Sequence, residues 1–170
     1  MKSVNTISDL PDLQPGDILL YGDNSLLSWA IRFRTWSDVS HIEIYAGNGH
    51  SLASRAEGVN CYPLRTAGLR RIYRPKVEFN MQAGLRWFAA HAAGTVYGWA
   101  DLWRFYGINV PTKGLICSQF ADLFFQNTGL PLFNLNYPEG AVCPGDYEKV
   151  SSRLLDQIWS WCDSRTPINL

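Results

Sequence analysis

The stretch Ser40-His41-Ile42-Glu43-Ile44-Tyr45-Ala46 alternates with a period of two. In an extended strand this pattern puts Ile42, Ile44 and Ala46 on one face and His41, Glu43 and Tyr45 on the other. Gly47-Asn48-Gly49 follows at once, and residues that accept positive φ in such a cluster turn the chain back on itself. A hairpin is therefore required, with a partner strand from about His50 to Arg55. Gly58 to Leu64 and Arg70 to Arg74 read as two further strands ahead of Pro75. Asp17 to Tyr21, launched by the turn signal Gln14-Pro15-Gly16, reads as an earlier one. The first half is predicted to be mostly antiparallel sheet, interrupted by a short helix that starts at Ser25 and carries Leu26, Leu27, Trp29, Ala30 and Phe33.

In the second half the period changes. Met81, Leu85, Phe88 and Ala89 recur at helical spacing in a segment expected to end near Gly94, and Trp99 to Tyr106 reads as another helical piece. From Cys117 onward Phe120, Leu123 and Phe124 form an apolar stripe, stopped by Asn127-Thr128-Gly129, so Cys117 falls at a helix N-terminus. A short helix after Pro144-Gly145-Asp146 and a last one carrying Leu154, Leu155, Ile158, Trp159 and Cys162 complete the expectation. With no repeat, low-complexity tract or linker, residues 1–170 read as a single α+β domain, long enough to bury one proper core.

Charge narrows the functional classes. The 15 Lys and Arg balance 15 Asp and Glu, so there is no bulk basic field to draw nucleic acid, and no nucleic-acid partner is expected. Arg, Asp, Gln or His interrupts every apolar stretch before 18 residues, so no membrane span is expected. The opening residues lack the apolar region of a secretory signal. Cytoplasmic residence, or carriage by a phage or secretion assembly, is the corresponding expectation. Cys61, Cys117, Cys143 and Cys162 include no C-x-x-C pair and no Cys/His cluster at ligand spacing, so neither a metal site nor any other cofactor is predicted.

A thiol in the first turn of a helix meets oriented N–H groups and the positive end of the macrodipole, which favour its thiolate. Its natural partner is an imidazole, and His41, on the polar face of the hairpin, is the best of three histidines. The alternative is a small buried hydrophobe and a satisfied core histidine. His50 reads as a solvated turn residue, His91 as a helix-face residue, and the other three cysteines as structural thiols. Arg65, Arg70, Arg71, Arg74 and Lys76 form a basic run. It reads either as a patch for a carboxylate- or phosphate-bearing substrate or, as charged sheet edges commonly are, as an exposed strand face. Trp29, Trp36, Trp99 and Trp103 read mainly as core.

Several stretches, taken in order, resemble the permuted NlpC-type papain-like amidase and peptidase family, whose relatives include lecithin:retinol acyltransferase-like proteins. Leu13-Gln14-Pro15-Gly16-Asp17-Ile18-Leu19 looks like that family's opening strand, and residues 40–49 are similar to its histidine hairpin. Tyr97-Gly98-Trp99 resembles the tyrosine motif ahead of the nucleophile, Ile116-Cys117-Ser118-Gln119 the cysteine helix start, and Cys143-Pro144-Gly145-Asp146-Tyr147 the late PGD stretch. The resemblance implies a circularly permuted papain-like fold, with an antiparallel sheet or small barrel packed against helices. It also implies Cys117 as nucleophile, His41 as base and then acid, and Tyr97 with the Cys117 N–H at the oxyanion. The implied activity is thiol-dependent cleavage of an amide, with peptidoglycan stem peptide or a similar γ-glutamyl or peptide bond of the cell wall as substrate class. A lipid-acyl thioesterase or acyltransferase, and an inactive binding module, are the alternatives.

One position departs from the family pattern. Twelve residues past the histidine, where a third polar residue usually stands, this chain has Ala53. Glu43 shares a strand face with His41 and is the candidate substitute for orienting the imidazole; Ser54 is the weaker candidate, because it should point to the opposite face from position 53. Val96 and Gly98 also differ from the commoner residues around the tyrosine and suggest an altered substrate rim.

Overall fold

A computed structural model describes residues 10–22, 37–98, 114–133, 142–150 and 152–160. Six strands form one antiparallel sheet: β1 (Ile18–Tyr21), β2 (His41–Gly47), β3 (His50–Arg55), β4 (Gly58–Pro63), β5 (Leu69–Pro75) and β6 (Leu155–Ser160), in spatial order β4-β3-β2-β1-β5-β6. Among the described residues two α-helices, α1 (Met81–Trp87) and α2 (Cys117–Asn127), a π-helical turn over Phe88–Ala92 and a 3-10 helix over Pro144–Lys149 accompany the sheet, so the chain is mixed α+β. The expected helix from Ser25, the piece from Trp99 to Tyr106, Cys162, and Trp29, Trp36, Trp99 and Trp103 lie outside the described residues.

The hairpin closes as its residues dictate. Asn48 adopts φ 51° between Gly47 and Gly49 at φ 102° and 71°, and the strands pair Ile44 with Leu52 and Tyr45 with Ser51. β1 starts from a β-turn over Gln14–Asp17, closed by the Asp17 N–H donating to the Gln14 carbonyl at 2.9 Å and by the Gln14 N–H donating to Asp17 Oδ2 at 2.8 Å. Both faces of β1 are buried. Ile18 and Leu20 join Ile42, Ile44, Leu52 and Val59 in the main core, whereas Leu19 and Tyr21 join Leu64, Leu69 and Ile72 in a smaller one behind the sheet. The face of β2 carrying His41, Glu43 and Tyr45 is therefore roofed over, which the alternation alone does not reveal.

α2 lays Cys117, Phe120, Ala121, Phe124 and Phe125 against the main core. Leu123, assigned to the stripe from sequence, is only half-buried, because Ala121 and Phe125 rotate the apolar face away from it. α1 is capped by Asn80, whose Oδ1 accepts the Ala83 N–H at 3.0 Å, and continues into a π-helical turn over Phe88–Ala92 before Gly94 at φ 78°. α1 meets α2 at Gly84, where an added Cβ would lie 2.7 Å from Phe124 Cζ and 2.7 Å from Thr128 Cγ2. Gly84→Ala is therefore expected to destabilise by about 1–3 kcal/mol through overpacking. Urea unfolding with a lowered midpoint and an unchanged slope would show this.

The last element corrects the sequence expectation. Of the segment expected to form a helix, Leu155–Ser160 instead forms β6 on the outer edge of β5, with Leu154 in the turn before it, pairing Ile72 with Trp159 and Tyr73 with Gln157 around a bulge. Apolar spacing here fits either period. The open row of β5 backbone donors and acceptors decides for a strand, which Ile158 and Trp159 also prefer.

Most of the basic run serves architecture. Arg74 clamps Asp17 with Nε and Nη2 at 2.8 and 2.7 Å, tying β5 to the start of β1. Arg71 bridges Asp38 and Glu148, and Lys76 pairs with Asp156 of β6.

Candidate active site

Local structure delivers Cys117 from one side. The segment before α2 bridges in parallel to Tyr97 through Leu115; the Gly98 N–H donates to the Leu115 carbonyl and the Leu115 N–H to the Val96 carbonyl, each at 3.2 Å. Gly114 lies against Gly98 backbone with no room for a Cβ, so this close approach requires the glycine. Ser54 Oγ donates to the Leu115 carbonyl, binding the same segment to β3. Gln119 Oε1 accepts the Ile116 N–H at 3.1 Å and begins the helix at Cys117, whose residue is 4% exposed. Tyr97 stands beside this sulfur: burial and the charge of Cys117 both push its phenol above its ordinary range.

Strand β2 delivers the imidazole. His41 Nε2 lies 3.1 Å from Glu43 Oε1, and its side chain is 15% exposed. Burial acts to lower the His41 pKa. The charge and hydrogen bonding of Cys117, followed by those of Glu43, more than reverse this and raise it to about 9. His41 thus interacts with both groups, and because Nε2 is held by Glu43, Nδ1 is the ring nitrogen left for the thiol.

Glu43 is fully buried and is the hub of the site. Arg55 donates from Nε to Oε1 and from Nη2 to Oε2, each at 3.0 Å, and Ser51 Oγ donates to Oε2 at 2.6 Å. Arg65 Nε approaches Oε1 at 3.4 Å. Burial pushes the Glu43 pKa up, but His41, then Arg55 and Ser51, bring it down to about 2. The carboxylate is ionised throughout the neutral range, as an orienting partner of a protonated imidazole must be.

The structure thus brings together Cys117, His41, Glu43 and Tyr97 and leaves the other singled-out groups apart. His50 is exposed at the first position of β3, where its Nδ1–H donates to the Asn48 carbonyl at 2.8 Å, and His91 is exposed on the π-turn. Cys61 is exposed, and Cys143 stands at the N-cap of the 3-10 helix; neither forms a disulfide. Sequence reasoning missed Ser51, Arg55 and Tyr21, and named Arg65 only as part of the basic run, without linking it to Glu43. A signal existed for the first two: the hairpin register places Glu43 opposite Ala53, with residues 51 and 55 diagonally on the same face. Tyr21 is paired with His41 across β1 and β2, their ring centroids 6.1 Å apart.

No family model matches the chain, and no curated protein matches it. Among solved structures five chains match. One of these is the crystal structure of the metalloprotein yiiX from Escherichia coli O157:H7, 20% identical, with a TM-score of 0.60 over 87% of this chain and 97% of that one. At this identity the likeness is one of fold. Among the described residues no group of three or more His, Cys, Asp and Glu side chains is placed to hold a metal ion, and no helix is long and apolar enough to cross a membrane.

Proposed function

We propose that this protein is a cysteine hydrolase on a permuted papain-like fold that cleaves an amide bond through an acyl-enzyme. The observation that carries this reading is the placement of His41 between Cys117 and the buried carboxylate of Glu43, which keeps the imidazole protonated to about pH 9. A protonated imidazole is the state that pairs with a thiolate and that can donate to a departing amine.

The steps follow from these positions. The Cys117 thiolate attacks the carbonyl carbon, and the electron pair of the C=O bond moves to oxygen. The Cys117 backbone N–H and the Tyr97 hydroxyl face that oxygen. As the carbonyl reforms, the C–N bond breaks and the imidazolium passes its Nδ1 proton to the leaving nitrogen. A thioester and a neutral imidazole remain. Water then gives a proton to His41 and attacks the thioester, and breaking the C–S bond releases the acid and restores thiolate and imidazolium. Glu43 holds the ring through Nε2 and balances its charge in both halves of the cycle. The motif set and its order favour a peptide or γ-glutamyl amide of the peptidoglycan stem as the substrate class.

The test is the rate of Cys117 alkylation by iodoacetamide against pH, read by mass spectrometry in the wild type, His41→Ala and His41→Gln. The wild type is expected to react at pH 6 faster than free cysteine, of which only about 0.3% is thiolate there, and both variants should lose at least about tenfold of that rate. Reactivity equal to that of free cysteine and indifferent to His41 would overturn the hydrolase and leave an inherited fold used for binding.

A further inference from the structure

Glu43 has more positive partners than one carboxylate needs. Arg55 engages both of its oxygens, Ser51 adds a donor to Oε2, and His41 lies against Oε1. Arg65 is supernumerary. Its Nε sits 3.4 Å from Oε1, is shut off from solvent and makes no hydrogen bond, while the side chain as a whole remains 38% exposed. The guanidinium is nonetheless fixed. Its Cζ lies 4.6 Å from the centroid of the Tyr21 ring, and the Tyr21 hydroxyl donates to the Arg65 carbonyl at 3.0 Å. Among the described residues no carboxylate other than Glu43 pairs with it, in contrast to Arg71, Arg74 and Lys76, each committed to Asp or Glu side chains of its own.

A guanidinium carries five N–H donors in a planar fork suited to a carboxylate. Holding one immobile at a site whose other cations already balance Glu43 leaves a net positive charge beside the imidazole. Its position is also specific. Arg65 and His41 approach the same Glu43 oxygen and flank the same Tyr21 ring, so Arg65 lies on the Nε2 side of the imidazole, away from Nδ1 and the thiol. The leaving amine takes its proton from that imidazole and therefore departs over His41.

We infer that Arg65 is a substrate-recognition residue that receives a carboxylate carried on the leaving-group half of the substrate. This inference rests on the hydrolase reading above. The class of substrate it selects is an amide whose amine component is an acidic unit, such as an amino acid or short peptide with a free carboxylate near the scissile nitrogen. Pairing with Arg65 is charge-assisted and bidentate, which fixes the register of the leaving group as well as its affinity.

The experiment compares Cys117 alkylation by iodoacetate and iodoacetamide in the full chain at low salt and pH 7. The two reagents transfer similar small groups and differ in charge, so the ratio of their rates removes any change in the reactivity of the thiol itself. The wild-type ratio is expected to exceed that of Arg65→Gln by about threefold to fivefold, as a nearby partly solvated cation would produce, and Arg65→Lys should keep most of it. In the same assay γ-glutamyl-glycine should protect Cys117 better than γ-glutamyl-glycinamide, and Arg65→Gln should remove the difference. Rapid alkylation with a ratio unchanged in Arg65→Gln overturns the anion site while leaving the hydrolase standing. Equal protection by the two dipeptides in the wild type overturns the leaving-group placement. A Cys117 no faster toward iodoacetamide than free cysteine overturns the hydrolase, and this inference with it.

Discussion

Replacing Cys117 with Ala is expected to lower kcat/KM on stem-peptide or γ-glutamyl amides by about four orders of magnitude or more, the scale seen when a covalent nucleophile is removed. The fold should survive. The sulfur is a small group at the edge of the core, 4% exposed, and its loss is expected to cost about 1 kcal/mol, as an average point substitution does. Cys117→Ser is the sharper test, because it keeps the shape and replaces the thiol with a hydroxyl that His41 would have to deprotonate during attack. A serine hydroxyl is a far weaker acid than a thiol and offers no ready-made anion to pair with His41, so the serine variant should be nearly as inactive as the alanine one. Steady-state rates for both variants, with circular dichroism to verify folding, settle the point. Activity within tenfold of wild type in either would rule out the acyl-enzyme.

Glu43→Ala is expected to be the most destabilising single change at the site, by about 3–5 kcal/mol near pH 6, because it strands Arg55 and a protonated His41 around an empty buried position. The pH dependence of wild-type stability carries the same signature. Glu43 has its folded pKa lowered to about 2 from an ordinary 4.5, so its contribution is present above about pH 4.5 and is lost as pH falls through about 2. His41 is the opposite case: raised to about 9 from 6.5, its contribution is present below about pH 6.5 and is lost as pH rises through about 9. The two edges share the His41–Glu43 contact and are not to be added, the alkaline one also carrying the pairing of His41 with Cys117. Urea unfolding between pH 2 and 10 should trace a plateau with both shoulders in the wild type, and Glu43→Gln should flatten the acid shoulder. Glu43→Gln should also move the alkaline limb of kcat/KM, where the imidazolium that protonates the leaving amine is lost, down from about 9, an effect that loss of packing alone would not produce. A wild-type stability that is flat from pH 5 to pH 2 would show that Glu43 carries no such charge network.

The candidate site was legible in proportion to how local its determinants are. Alternation along residues 40–46 is enough to put His41 and Glu43 on one face, since adjacent positions in a strand must point apart. Glu43 as the partner of His41, in place of Ala53, follows from that face alone, and the structure sets the two 3.1 Å apart. The start of α2 at Cys117 was likewise readable, because the apolar spacing that begins there and the glycine stop at Gly129 are both features of one short segment. What could not be read is which remote groups share the carboxylate. Arg65 comes from the chain after β4 and Tyr21 from β1, and they meet only because the sheet order places β1 beside β2 and folds the residues after β4 over the same face.

The C-terminal segment marks the same boundary from the other side. Leu154, Leu155, Ile158 and Trp159 satisfy a helical spacing as well as a strand, so their own side chains do not choose; the unpaired edge of β5 does. Sequence by itself thus determined the hairpin, the strand faces and the thiol at a helix start, all set by the steric periods of a chain over a few residues. The tertiary structure alone decided that His41 reaches Cys117, that two arginines and a serine gather on one buried carboxylate, and that the last segment is a strand. Each of these depends on desolvation or on backbone pairing between segments distant in the chain, and neither exists until the sheet has assembled.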